Sequence, residues 1–357
     1  MVCVLRVKKE DIERMKNKLD DAIDRNYKLV TDNEYGYITL IDSARSSSKI
    51  NSIVNAKPSE FKLMDKKIDK IKKEESYNER LRKVLTKEEL QHIPTSFDII
   101  GDICMVRIKE ELKKKEKQIG EALLLVPGIK CIYTRDGKYE GEYRTQKLKW
   151  LAGGKRKETT HVESGVRLKL NVEKVYFSTR SSNERLRIAN LVRKGERVLV
   201  MFSGCSPYEL VIAKHSLAKR IVGIEKNPIA HQYGLENVSL NKANEKEKRI
   251  ELFCGDVRHV VPIFSEEEAR FDRIIMPLPK VAYEFLSNAL DVARKGAIIH
   301  LYAFDEWKGE KEMIKDWTLK LKEQLGETKR RVKVKNIVKA GDYAPNVFRI
   351  CLDLEVE

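Results

Sequence analysis

The apolar positions of this chain change period three times. Short alternating runs at 2–7 and 36–41 flank a stretch at 8–19 with apolar residues at helical spacing, which predicts a small α/β unit over 1–60. From 61 to 90 dense charge takes over, and Met64, Ile68 and Ile71, then Tyr77, Leu81 and Val84, fall at helical spacing. This predicts a charged, mostly solvated helical linker over 61–95, ended by Ile93-Pro94-Thr95-Ser96. A second α/β region over 96–172 follows. It opens with a strand-like run at 97–106, continues through an amphipathic helix at 110–125, and adds strand-like runs at 130–133, 147–151 and 165–170.

From 173 onward strand and helix patterns alternate. Strands are expected at 197–202, 220–225, 250–254, 271–276, 296–303, 331–338 and 347–355, and helices at 208–218, 228–242, 280–293 and 310–325, the last stopping before Gly326. Such alternation specifies an open, mostly parallel sheet with helices on both faces, and two closely spaced final strands imply an antiparallel edge. The fold class is therefore α/β: a seven-stranded Rossmann-like sheet over 173–357 behind two smaller α/β domains. Its ending suits a class I methyltransferase better than a nicotinamide dehydrogenase.

Charge narrows the partner. The chain has 71 Lys and Arg against 55 Asp and Glu, a net charge of +16, which favours a polyanion such as nucleic acid, although a generally ion-rich surface would account for part of it. No segment approaches the ~20 apolar residues of a membrane span, and Met1-Val2-Cys3-Val4-Leu5-Arg6 is too soon charged for a signal peptide, so an intracellular, cytoplasmic location away from membranes is expected. The six cysteines are scattered and mostly sit in apolar runs such as Ile250-Glu251-Leu252-Phe253-Cys254, reading as small buried hydrophobes in a reducing compartment. The six histidines lack ligand spacing. No metal is expected.

Candidate chemistry clusters around the first strand of the large sheet. Val175-Tyr176-Phe177-Ser178-Thr179-Arg180 with Asn183-Glu184-Arg185 places Tyr, Arg and Glu just ahead of it, the layout of an active site. The strand ends in Phe202-Ser203-Gly204-Cys205-Ser206-Pro207, where small residues let a ligand approach the backbone; an ordinary βα turn would look much the same. Twenty-one residues after Gly204, Glu225 ends the next strand, followed by Lys226 and Asn227, where an acid can accept both hydroxyls of a ribose. Asp256, followed by Val257, is placed after the third strand to accept from an adenine amino group. Helix capping or surface solvation would explain either acid alone; together they form a set. Pro277 and Pro279 fix an extended turn after the fourth strand or simply open a helix. Arg144, Lys147, Lys149, Lys155, Arg156 and Lys157 crowd the loops of the second region, where phosphate contact is at least as good a reading as solvation.

Several of these segments occur together, in order, in one family. Ser96-Phe97-Asp98-Ile99-Ile100-Gly101-Asp102, Gly141-Glu142-Tyr143-Arg144-Thr145, Val175-Tyr176-Phe177-Ser178 with Asn183-Glu184-Arg185, Met201-Phe202-Ser203-Gly204 and Met276-Pro277-Leu278-Pro279-Lys280 resemble the archaeal and eukaryotic tRNA (guanine-37-N1)-methyltransferases from about Ser96 to the C-terminus. The resemblance implies methyl transfer from S-adenosylmethionine to N1 of the guanosine 3′ of the anticodon. It implies Glu184 as general base and Arg144 as the group facing O6. Tyr176 would line the pocket at cofactor or base, and Arg180 would hold a phosphate or orient Glu184. Lys155, Arg156, Pro277 and Pro279 would contact substrate. Phe202, Ser203, Gly204, Glu225, Lys226, Asn227, Asp256, Val257, Pro277 and Tyr176 would surround the cofactor, with Glu225 on its ribose and Asp256 on its adenine.

The N-terminal unit resembles the family's module for the outer corner of tRNA, implying tRNA as partner of a monomer without an obligatory protein partner. Three positions depart from the family pattern: Val200 stands for an Asp, Ser206 for a second Gly, and Pro277 for an Asn. These keep two alternatives open, a related tRNA-modifying transferase of the wyosine pathway using the same cofactor, and a catalytically silent RNA-binding protein.

Overall fold

The computed structural model describes residues 1–70, 75–94, 96–244, 249–266, 270–326 and 330–357, with the backbone alone at 136 and 138–140. The chain divides into two compact units, Met1–Glu75 and Ser76–Glu357. Among the described residues no helix is long and apolar enough to cross a membrane.

The first unit is a four-stranded antiparallel sheet of β1 (Val2–Lys8), β2 (Val30–Thr31), β3 (Tyr35–Thr39) and β4 (Lys62–Lys66), in the order β2-β3-β1-β4, with helices α1 (Ile12–Lys18) and α2 (Ser48–Ala56). Leu5, Val7, Ile12, Met15, Leu19, Ile38, Ile50 and Phe61 form its core. Strand β4 overturns the helical reading of the segment after Phe61. Leu63 pairs with Leu5 and Met64 with Val4, because β1 would otherwise present a row of unpaired N–H and C=O groups at the sheet edge. Ile71 and Thr95 lie outside the described residues.

The rest of the expected linker is not solvated either. Helices α3 (Tyr77–Val84) and α4 (Lys87–Leu90) each start in a capping box, Ser76 with Glu79 and Thr86 with Glu89. Leu81 and Leu85 are buried in one core with Leu112, Ile119, Ile132 and Leu151. The charged residues are the outer face of helices whose inner face belongs to the next domain. Deleting residues 1–75 is therefore expected to leave a folded chain, whereas deleting 1–90 should lower the stability of the remainder by about 3 kcal/mol or more through the loss of Leu81 and Leu85. Denaturant melts of both truncations check this, and equal stability would refute it.

That domain has a sheet of order β5-β6-β7-β8, made of β5 (Phe97–Ile100), β6 (Ile103–Val106), β7 (Cys131–Glu140) and β8 (Thr145–Gly153), with α5 (Glu116–Leu123) between β6 and β7. The single strand expected at 97–106 is a hairpin, turned at Gly101 with φ +56°. A separate hairpin of β9 (Glu158–Glu163) and β10 (Val166–Asn171) follows; the polar run Glu-Thr-Thr-His-Val-Glu of β9 carries no apolar alternation that would reveal a strand.

The large sheet comprises β11 (Arg197–Met201), β12 (Arg220–Glu225), β13 (Ile250–Cys254), β14 (Phe271–Met276), β15 (Ala293–Glu306), β16 (Val332–Ala344) and β17 (Val347–Val356), in the order β13-β12-β11-β14-β15-β17-β16. The first five are parallel, and β17 runs antiparallel between β15 and β16. Helix α6 (Ser182–Leu191) precedes it, and α7 (Pro207–His215), α8 (Pro228–Leu240), α9 (Val257–Val260), α10 (Leu286–Val292) and α11 (Glu310–Leu325) connect its strands. The helix expected at 280–293 is split, a 3₁₀ turn at Ala282–Phe285 leading into α10. Among the six free cysteines Cys254 is exposed, because β13 ends there at the strand-end face; the other five are buried.

Candidate active site

At the carboxyl end of β11 the chain reverses through three residues in the left-handed region, Phe202 (φ 64°), Gly204 (φ 61°) and Ser206 (φ 65°), before Pro207 starts α7. A Cβ on Gly204 would meet only the Tyr176 carbonyl, at 3.9 Å, so the loop faces open space. That space is a cleft of about 440 Å³ across the ends of β11, β12, β13 and β14, roofed by the β7–β8 turn, a volume suited to a cofactor-sized ligand. Arg144, Tyr176, Phe202, Ser203, Gly204, Glu225, Lys226, Asn227, Asp256, Val257, Pro277 and Pro279 all line it.

Glu225 is anchored at the end of β12. Its two oxygens accept from the backbone N–H groups of Gly204 (2.6 Å) and Asn227 (2.7 Å), leaving further lone pairs toward the cleft. Burial raises its pKa, against the opposing effect of those N–H groups. Asp256 is more heavily engaged. Arg258 donates to both its oxygens and Lys226 Nζ to one at 2.8 Å, and the Arg258 guanidinium holds its carboxyl far below the ordinary value. Lys226 also pairs with Glu142 of the roof, so a ligand amino group at Asp256 must displace one of these cations.

Arg144 enters from the β7–β8 turn, itself with φ 50° and its N–H on the Gly141 carbonyl (3.2 Å). Its guanidinium is half-buried, forms no hydrogen bond among the described residues, and has its pKa pressed down by burial, with Tyr176 and Tyr343 opposing. A desolvated cation without a partner, aimed into a cleft, is poised for an incoming acceptor.

Glu184 is placed differently from the other expected residues. It is buried behind the cleft and does not line it. Arg187 forks onto its carboxylate at 2.7 and 2.8 Å, and the hydroxyl of Tyr302, a residue that does line the cleft, donates to Oε1 at 2.6 Å. Helix α6, which carries Glu184, is pinned from below: Arg185 pairs with Glu163 of β9 at 2.5 and 2.6 Å. Burial would raise the Glu163 pKa, and hydrogen bonds from His161 and Arg185 outweigh it and hold the group below its ordinary value. Strand β9, the half of the hairpin that the sequence did not reveal, thus fixes the helix of the candidate base.

Three further expected residues lie outside the cleft. Arg180 is paired with Asp98 (3.1 Å) and does not touch Glu184. Lys155 stacks over Trp150, and Arg156 pairs with Asp102 and the Glu158 carbonyl on a separate polar hollow. They remain exposed cations on the face of the smaller domain. Conversely, sequence reasoning passed over Tyr208, Tyr302, Phe285 and Arg349, all on the cleft. Tyr302 carried a readable signal, a lone phenol inside the apolar strand β15.

The structure also gathers His300, Cys351 and Asp353 at one place. His300 Nδ1 meets Asp353 at 2.6 Å and Nε2 meets the Arg273 guanidinium at 2.7 Å. Both ring nitrogens are taken, and the guanidinium opposes a cation, so these side chains hold one another. Beneath the β11 loop, Glu209 is fully buried and its oxygens have no hydrogen-bond partner among the described residues; Ser203 and Glu225 are the polar groups that bear on it. Burial pushes its pKa from 4.5 up to about 8. The native state therefore holds this proton more tightly than the unfolded chain, and the stability it carries is full below about pH 4.5 and falls as pH rises toward 8. Glu209→Gln should raise the melting temperature at pH 8 more than at pH 5; equal shifts at the two values would show that Glu209 does not titrate in this range.

Comparison with known proteins turns this geometry into a lineage. Residues 159–335 match the TRM5/TYW2 methyltransferase domain, and residues 77–157 the TYW2 N-terminal domain. The tRNA (guanine(37)-N(1))-methyltransferase Trm5b of Methanocaldococcus jannaschii is 32% identical over 100% of this chain and 99% of its own. That of Pyrococcus abyssi is 36% identical over 83% of this chain and 85% of its own. The chain belongs to the TRM5/TYW2 methyltransferase family. Among solved structures of the family, a complex of aTrm5 with tRNALeu superposes with TM-score 0.76 at 31% identity, and Pyrococcus abyssi Trm5b with TM-score 0.68 at 32%, each over the whole of both chains.

The cofactor of the TRM5/TYW2 family is S-adenosylmethionine, and the cleft fits it. Glu225 stands at the strand end with lone pairs to spare, Gly204 leaves the loop open, and Phe202 and Phe285, edge to face at 5.1 Å, supply an apolar flank.

Proposed function

We propose that this protein methylates N1 of the guanosine 3′ of the anticodon in tRNA. The observation that carries the reading is the Arg144 guanidinium, unpartnered among the described residues and on the same cleft as Glu225, so that a cation for the base and an acid for the cofactor share one cavity. S-adenosylmethionine supplies an electrophilic methyl group. The chain's own residues must make N1 nucleophilic, since that nitrogen carries a proton. Glu184 is the acceptor for the proton. As N1 is deprotonated negative charge moves to O6, and Arg144 is the donor aimed at it. Pro277, at the position of the Asn in the family pattern that the chain resembles, holds a backbone turn, Leu278 N–H donating to the Met276 carbonyl at 2.9 Å.

The first unit fits a tRNA-docking role on the resemblance. Loss of residues 1–75 should weaken affinity for full tRNA more than for an isolated anticodon stem-loop. The exposed Lys155, Arg156 and Arg180 fit phosphate contacts, Tyr176 a contact near the base, and a monomer acting on cytoplasmic tRNA without a protein partner is the simplest assembly.

A second reading has one observation in its favour, the match of residues 77–157 to the TYW2 N-terminal domain. A Pyrococcus horikoshii relative 33% identical over 78% of this chain is a tRNA(Phe) (4-demethylwyosine(37)-C(7)) aminocarboxypropyltransferase. Nucleoside mass spectrometry of tRNA incubated with enzyme and S-adenosylmethionine separates them. N1-methylguanosine supports the first; an aminocarboxypropyl adduct on a wyosine precursor supports the second. Calorimetry with S-adenosylmethionine tests a silent RNA-binding protein, for which no heat of binding is expected.

A further inference from the structure

Glu184, the acceptor in the proposed reaction, is separated from the cleft by one hydroxyl. Tyr302 is among the residues that line the cleft and is otherwise buried. A carboxylate can only accept, so the 2.6 Å contact to Glu184 Oε1 consumes Tyr302's single proton; the 3.1 Å contact with Tyr208 is then a bond that Tyr208 donates. A hydroxyl has two lone pairs. Tyr208 takes one, which leaves one, beside Cys351, for a donor bound in the cleft. Guanine N1–H is such a donor.

We infer that Tyr302 is a catalytic residue, a proton relay through which the guanine N1 proton reaches Glu184. The inference rests on the guanosine reading above. The N1–H bond breaks as its proton passes to Tyr302 Oη, while the proton already on Oη passes to Glu184 Oε1. Tyr302 ends as a neutral phenol, Glu184 as a neutral acid, and the electron pair left on N1 forms the bond to the incoming methyl group. Burial keeps the phenol's pKa well above its ordinary value, with Cys351, Tyr208 and Glu184 adding to the effect, so Tyr302 passes protons on without resting as a phenolate.

The surroundings provide for the product state. Once Glu184 is neutral, Arg187 still has Asp353 at 3.7 Å, and Asp353 is held in turn by His300 at 2.6 Å. The cation behind the relay is therefore never left alone in the interior, where an unpaired charge is costly.

The test compares single-turnover methylation of tRNA by the full chain and by Tyr302→Phe and Glu184→Gln, with S-adenosylmethionine affinity measured by calorimetry on each. Tyr302→Phe is expected to lose about 10²-fold in the chemical step with cofactor and tRNA affinities retained. The wild-type rate in mixtures of H2O and D2O should bow below a straight line, since two protons move together. A near wild-type rate for Tyr302→Phe beside a slow Glu184→Gln would mean that Glu184 reaches the base itself; the relay falls and the base assignment stands. Near wild-type rates for both would overturn the base assignment and the relay with it. A linear dependence on D2O would also overturn the relay. Should Tyr302→Phe fail to fold, 3-fluorotyrosine at 302 keeps the hydroxyl and its packing; the relay requires the chemical step to respond to the altered phenol acidity, and an unchanged rate refutes it.

Discussion

Glu184→Gln is expected to slow the chemical step of methyl transfer by about 10²-fold or more, the usual size of a general-base contribution, while S-adenosylmethionine affinity stays as in the wild type. The amide is nearly isosteric and keeps one oxygen, so the Tyr302 hydroxyl and the Nη2 arm of Arg187, which share Oε1, retain an acceptor and Asp353 remains beside Arg187. What is lost is the capacity to take a proton. Single-turnover rates with saturating tRNA and cofactor measure this, and thermal melting of the variant separates a chemical defect from a folded-state one. A rate within a fewfold of wild type would remove Glu184 from the reaction.

Arg144→Ala should cost about 10²-fold to 10³-fold in the same step, the range seen when a donor facing developing negative charge is removed. The guanidinium makes no hydrogen bond among the described residues that would be broken, and lies at a turn on the roof, so truncation should leave the fold intact. Binding and chemistry respond differently to the two roles it could play. A donor on O6 acts as the charge develops and shows in the rate; a phosphate contact shows in tRNA affinity and in a shallower salt dependence. A variant with unchanged single-turnover rate, weakened tRNA binding and a reduced salt slope would reassign Arg144 to the tRNA backbone.

The two variants also probe different parts of the architecture. Arg144 reaches the cleft from a turn of the smaller sheet, whereas Glu184 lies on a helix held by the β9–β10 hairpin through Arg185 and Glu163. The two candidate catalytic groups therefore come together only when the smaller domain and the large sheet pack on each other. Their shared core runs from Ile103 and Tyr133 through Leu168 and Leu170 to Val198 and Val200.

By itself the sequence determined the large sheet, its strand-end acid Glu225 and the small-residue loop at Gly204, because parallel strands buried on both faces leave continuous apolar runs and the turns between them leave Gly, Pro and acids in place. Local spacing was enough where the signal and its cause lay within a few residues of each other. The tertiary structure decided the rest. It turned the charged run at Lys62–Lys66 into an edge strand paired with β1, and packed Leu81 and Leu85 into a core whose other members lie as far away as Leu151. It withdrew Glu184 behind Tyr302, 118 positions further along the chain, and tied Arg180 to Asp98. Each of these depends on hydrogen-bond and charge demands met between residues distant in sequence. A row of unpaired backbone groups or a buried carboxylate takes whichever partner the packing brings to it, and no local pattern names that partner.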